Sequence, residues 1–355
     1  MKKDSDNFYD IKGMITGQAD RFVKCNFGPH NSFSSEDMVN AVQFKSKQEN
    51  KIERKKSYLV SAGSSKKTSL KIAVANVTLS YDNFDKMIKG KPNRSYKRYK
   101  ELADIVNAAI DQHADMLVMP ESYIPFEWLT ILARTCAKSN LAVVTGVEHV
   151  VFDKKVFNLT AVILPFTNRE YNYSCANISF HLKNYLSPLE KELISGYRLN
   201  GIEGNTYELY KWNDCYFPVY CCYELASVRD RAIFQSYADF LVAIEWNRDT
   251  NYYSNILESL SRDIHCYCVQ VNFSEYGDSR ITKPSKTEEK DILRTKGGSN
   301  STILVGQIDI GKLRSFQIKE NNLQKNSHDF KMTPPEFDAE IVLNKIKGDI
   351  LGNNQ

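Results

Sequence analysis

The sequence predicts an α/β domain built in layers, preceded by a polar extension. From Leu70 onward, short apolar runs alternate with amphipathic stretches of ~10–15 residues, the pattern of strands interleaved with helices. Residues 1–68 break that pattern, being polar, rich in Lys, Ser and Asn, and without sustained periodicity. The composition, 42% apolar and 25% charged over 355 residues, is that of a globular chain able to bury a sizeable core.

The elements follow in order. Residues 45–56 (KSKQENKIERKK) form a basic, helix-compatible run that reads as a solvated face, and residues 61–69 (SAGSSKKTS) read as a flexible linker. Residues 70–77 (LKIAVANV) are the first core strand. Residues 96–113 are a helix with Leu102, Ile105, Val106, Ala109 and Ile110 on one side. Residues 114–119 are a strand, 126–139 a helix, and 141–147 and 157–164 two further strands. After a segment around Lys183, residues 216–222 form a strand and 228–237 a helix. Residues 240–245 are a strand, 252–265 an amphipathic helix, and 266–272 and 301–305 strands. Residues 282–295 (TKPSKTEEKDILRT) read as an exposed polar loop. The organisation expected is an extension over 1–68, one domain over 69–319 and a polar tail over 320–355. The apolar stretch 337–346 of that tail packs back or reaches a partner.

Composition removes several function classes. A formal net charge of +4 makes no case for a polyanionic partner, so a protein or nucleic-acid partner for residues 1–68 stays open and unsupported. The first residues, Met1-Lys-Lys-Asp-Ser-Asp-Asn-Phe, lack the apolar centre of a secretory signal. No run approaches the ~20 apolar residues of a membrane span, so a cytoplasmic protein without membrane attachment is expected. Eight cysteines without a CxxC pair argue against zinc and against a disulfide framework. Cys266 and Cys268 share one strand face and read as core.

Three separated residues carry chemistry. Met116-Leu-Val-Met-Pro-Glu121 ends an apolar run in a carboxylate. His181-Leu-Lys183-Asn-Tyr-Leu-Ser-Pro188-Leu-Glu190 supplies an ammonium. Tyr216-Phe-Pro-Val-Tyr-Cys-Cys222 ends in a thiol between a strand and a helix. A base, a cation and a sulfur nucleophile are what attack on a carbon bonded to nitrogen requires, and the amide of Tyr223 is a natural oxyanion donor. Side chains alternate along a strand, so only one of Cys221 and Cys222 can face such a site. Cys222, which precedes the aromatic–acid pair Tyr223-Glu224, is the expected nucleophile.

Taken together and in this order, these segments resemble the nitrilase superfamily of carbon–nitrogen hydrolases. Val144-Thr-Gly146 with Asn158-Leu159, Arg262 in residues 258–272, and Gly298-Ser299 are lesser matches. The resemblance implies a four-layer α-β-β-α sandwich and a triad of Glu121 as general base, Lys183 as stabiliser of the tetrahedral intermediate and Cys222 as nucleophile. Glu190 matches a second glutamate that orients the lysine or the water. Tyr223, Trp246 and Asn247 are pocket walls by the same analogy. It further implies hydrolysis of a small amide or nitrile, no metal or organic cofactor, and a homodimer or larger homo-oligomer. The sequence departs from the family pattern at Glu224, where an aspartate is usual, in lacking the Arg-Phe-Pro element, and at Glu245-Trp246-Asn247. A second reading of the resemblance is a binding or assembly module working with another protein, such as a nucleic-acid-processing or defence system, with hydrolysis dispensable.

Overall fold

The computed structural model describes residues 40–44, 56–78, 80–168 and 172–350. The basic run 45–56 lies, but for its last residue, outside them. Two sheets occupy the middle of the protein. Six strands of a seven-stranded sheet run in the spatial order Thr302–Asp309, Ser69–Asn76, Met116–Val118, Ala142–Phe152, Lys155–Asn168 and Tyr173–Leu182. Asn200–Ile202 pairs beside Lys155–Asn168 as the seventh. The eight-stranded sheet has the order Asn40–Phe44, Lys56–Ala62, Thr206–Trp212, Cys215–Cys221, Phe240–Ile244, Tyr267–Val271, Arg280–Thr282 and Asp291–Arg294.

Strand periodicity generates the layers. In Ser69–Asn76, Leu70, Ile72 and Val74 point into a core between the sheets, where they meet Phe217, Val219, Val242 and Val269. Ala73 and Ala75 point the other way, toward Leu102, Ile105 and Val106 of helix Tyr96–Asp111 and Leu132 and Cys136 of helix Leu129–Ser139. On the far side, Leu241, Ala243 and Cys268 pack against Tyr253, Ile256, Leu257 and Leu260 of helix Thr250–Asp263. The result is a four-layer α-β-β-α sandwich. Its helix ends are set locally: Ser95 accepts from the Arg98 amide at the start of Tyr96–Asp111, and left-handed Asn140 (φ 51°) stops Leu129–Ser139.

Several expectations are corrected. The extension expected over 1–68 contains Lys56–Ala62, an inner strand paired in parallel with Thr206–Trp212 with Leu59, Val60 and Ala62 buried, so the linker expected over 61–69 narrows to 63–68. The loop expected over 282–295 contains Asp291–Arg294, an edge strand whose Leu293 reaches the inter-sheet core. The helix expected over 228–237 closes down to Val228–Arg231 and a 3₁₀ turn, Ala232–Phe234, followed by left-handed Ser236 (φ 68°). Strand Tyr173–Leu182 is the one that ends at Lys183, and strand Thr206–Trp212 is an addition to the expected elements. In the tail, helix Ala339–Lys347 packs back on the domain through Ile341, Val342 and Lys345.

Candidate active site

Glu121 follows strand Met116–Val118 on a turn that crosses Gly146. A Cβ at that glycine would lie 2.1 Å from the Ser122 nitrogen and 2.4 Å from the Glu121 Cα, so the crossing requires glycine. Ser122 is left-handed at φ 51°. The turn drives the Glu121 carboxylate inward, where it is 4% exposed. Its Oε1 accepts from Lys183 Nζ at 2.7 Å and from Asn158 Nδ2 at 2.7 Å, and its Oε2 from the Trp246 amide at 3.1 Å.

Lys183 leaves the end of strand Tyr173–Leu182, held by its own amide on the Asn158 carbonyl at 3.0 Å. Its ammonium also donates to Glu190 Oε2 at 2.7 Å. Glu190 is aimed by a capping box: Pro188 opens the helix Pro188–Gly196, the Glu190 amide donates to Ser187 Oγ, and the Glu190 carboxylate accepts from the Ser187 amide. Glu190 Oε1 further accepts from Asn158 Nδ2 at 2.7 Å and His149 Nε2 at 2.9 Å. Burial works against both charges. Glu121 and Glu190 nevertheless hold Lys183 protonated, with a pKa well above the ordinary one, and Lys183 and His149 hold the Glu190 carboxyl far below its usual range.

Cys221 and Cys222 part at the end of strand Cys215–Cys221. Cys221 packs in the core between the sheets, whereas Cys222 turns at φ 47°, a left-handed backbone that only a tightly held elbow maintains. The elbow is held by Glu224, fully buried, which accepts from the Cys221 amide at 2.6 Å and the Asn184 amide at 2.5 Å. The Cys222 sulfur donates to the Trp246 carbonyl at 3.9 Å and lies near the Tyr253 hydroxyl. The backbone of Trp246 therefore touches both the Glu121 carboxylate, through its N–H, and the Cys222 sulfur, through its C=O. Burial and the Glu121 charge push the Cys222 thiol well above its ordinary pKa, with Lys183 opposing, so the resting sulfur is a thiol.

Solved structures share this arrangement of sheets and helices. XC1258 of Xanthomonas campestris, a CN-hydrolase superfamily protein with an arsenic adduct in its active site, is 12% identical with a TM-score of 0.51, over 74% of this chain and 99% of that one. The NitFhit protein of C. elegans is 13% identical with a TM-score of 0.52, over 74% of this chain and 66% of that one. The chain has the nitrilase-type, carbon–nitrogen hydrolase fold. No protein-family model and no curated protein matches its sequence.

Within the nitrilase-type fold, Lys183 joins Glu121 to Glu190, and the Trp246 backbone links Glu121 to Cys222. The Trp246 ring packs on Phe84 and Phe273 and lines a cavity of about 220 Å³ together with Ser122, Tyr123 and Lys97. Asn247 is spent on structure through its amide on Asn272 and its side-chain oxygen on Asp249, while its Nδ2 is buried without a partner among the described residues. Tyr223 stands on the turn after Cys222, 37% exposed. Arg262 lies on the surface, paired with Glu258 and Thr287 and outside the cluster. The sequence reading did not assign roles to His149, to Tyr253 or to the side chain of Asn158. For His149 a signal existed: Glu148-His149 is a polar pair inside an otherwise apolar strand, Ala142–Phe152.

Proposed function

We propose that the protein hydrolyses a non-peptide carbon–nitrogen bond of a small amide or nitrile through Glu121, Lys183 and Cys222. The observation that carries this reading is the Trp246 backbone, bonded on one side to a buried carboxylate and on the other to a thiol, with a buried ammonium on the same carboxylate.

For an amide, Glu121 takes the Cys222 proton as the sulfur bonds to the carbonyl carbon, and the π pair moves onto oxygen. The Lys183 ammonium and the Tyr223 amide stabilise that oxyanion. Protonated Glu121 returns the proton to the nitrogen as the C–N bond breaks, releasing ammonia or an amine and leaving a thioester. Glu121 then deprotonates water, which attacks the thioester carbon. The tetrahedral oxyanion collapses, the C–S bond breaks, and the sulfur recovers its proton. A nitrile passes through a thioimidate and takes up water in the same site. Glu190 keeps Lys183 charged and aimed, and Asn158 and His149 hold the Glu190 carboxylate in place.

A panel of primary amides, nitriles and carbamoyl compounds assayed for ammonia tests this reading. Hydrolysis of at least one member, lost in a folded Cys222→Ala variant, is expected, with a mass-spectrometric acyl adduct on Cys222. Ammonia release that survives Cys222→Ala would overturn it. Co-purification with a partner whose biological effect is unchanged in Cys222→Ala would favour the assembly-module reading instead.

A further inference from the structure

Two residues before Lys183, His181 is fully buried between two carboxylates. Its Nδ1 meets Glu208 Oε2 at 2.8 Å, and its Nε2 meets both oxygens of Glu224 at 2.9 and 3.0 Å. An ionised carboxylate only accepts, so a ring with a carboxylate at each nitrogen donates from both and is an imidazolium. The ring stacks on Tyr207 at 5.5 Å, whose hydroxyl donates to Asp230 rather than to the histidine. Burial opposes the charge, yet Glu224 and Glu208 raise the His181 pKa to about 10.

The carboxylate that His181 holds is the one that accepts from the Asn184 and Cys221 amides, the residues next to Lys183 and Cys222. We propose that His181 is a positioning residue, whose charge fixes Glu224 and so sets the distance between the Lys183 segment and the Cys222 elbow. This rests on the hydrolase reading above. Without the imidazolium, Glu208 and Glu224 are buried carboxylates with their shared counter-charge removed, and Glu224 gives up its geometry first.

The test uses iodoacetamide as probe and mass spectrometry to read alkylation at each cysteine. In His181→Gln, Cys222 alkylation slows about tenfold or more, the loss expected from charged hydrogen bonds of ~1.5–3 kcal/mol. The Cys221 and Asn184 amides exchange hydrogen faster. In the double variant His181→Gln with Glu208→Gln, one of the two buried negative charges is gone and the side-chain amide introduced in place of the imidazole can still donate to Glu224, so Cys222 alkylation recovers. Side-chain ¹⁵N shifts of His181 in the wild type read as imidazolium at pH 7.5. A neutral ring at that pH, or unchanged Cys222 alkylation in folded His181→Gln, would overturn the positioning role and leave the hydrolase reading standing. Wild-type alkylation spread evenly over the accessible cysteines would overturn both.

Discussion

Strand Phe240–Ile244 is flanked by a buried acid at each end, Asp239 before it and Glu245 after it, and the two ends meet charge in opposite ways. Asp239 accepts from Arg314 at 2.9 and 2.6 Å, from Lys345 at 3.0 Å and from the Tyr216 amide at 2.8 Å. Arg314 also pairs with Asp214 at 3.2 Å, Lys211 reaches the same Asp214 at 3.7 Å, and Lys345 also donates to the Tyr237 carbonyl at 3.0 Å, so each buried acid meets cations and each cation an acceptor. At the other end, Glu245 accepts from Gln270 Nε2 at 2.9 Å through one oxygen, and its second oxygen has no partner among the described residues. Beside it, Glu121 and Glu190 share the Lys183 ammonium next to a thiol. Balanced charge at the first end fastens the C-terminal helix Ala339–Lys347 to the sheet. Incompletely matched charge at the carboxyl end of the strand fits the active site proposed there.

The largest effect that bears on this contrast is removal of the base. Glu121→Gln keeps the shape of the side chain and loses its proton affinity, so turnover of any amide identified by the ammonia panel falls by about 10²–10⁴-fold. A folded variant that stays within a few-fold of the wild type would place the chemistry elsewhere.

At the balanced end the expected effect is on stability. Asp239→Ala leaves Lys345 and Arg314 buried with half their counter-charge, which costs ~3–5 kcal/mol in a urea titration. Cys222 alkylation of the folded fraction is unchanged. Slower alkylation without a stability loss would show that the two ends are not separate devices.

His181 allows a finer comparison through pH. Its folded pKa of about 10 lies above the ordinary 6.5, so its stabilising contribution is complete below 6.5 and is lost as pH rises through about 10. The stability advantage of wild type over His181→Gln therefore narrows across that window. An advantage that widens with pH would mean the ring is buried neutral.

What was legible in the sequence was what depends on neighbours along the chain. Each of Glu121, Lys183 and Cys222 stands at the end of an apolar run, and amphipathic spacing marked helices Tyr96–Asp111 and Thr250–Asp263. The unread parts depend on partners far away. His149 means little until the helix carrying Glu190, 41 residues on, brings that carboxylate to it. His181 has partners 27 and 43 residues on, on a strand and a turn of the other sheet. Lys56–Ala62 is short and flanked by Lys and Ser, and only its pairing with Thr206–Trp212 and the burial of Leu59 and Val60 make it a strand. Lys345 lies within the apolar stretch 337–346, and only the distant Asp239 explains why a lysine there is fully buried.

Glu245 offers the smallest and most discriminating effect, because it touches the site by charge alone. Burial raises its pKa from the ordinary 4.5 to about 8. Between those values the native protein holds a proton that the unfolded chain has released, so stability falls as pH rises through the window. Glu245→Gln cannot ionise, and its stability relative to wild type increases from about pH 5 to about pH 8. Above about 8 the ionised carboxylate of the wild type adds negative charge beside Cys222 and disfavours the thiolate further. Alkylation of Cys222 by iodoacetamide therefore levels off in the wild type and keeps rising in Glu245→Gln, a difference of a few-fold. Superimposable profiles would cut Glu245 out of the site and leave its unpartnered oxygen as a feature of the core.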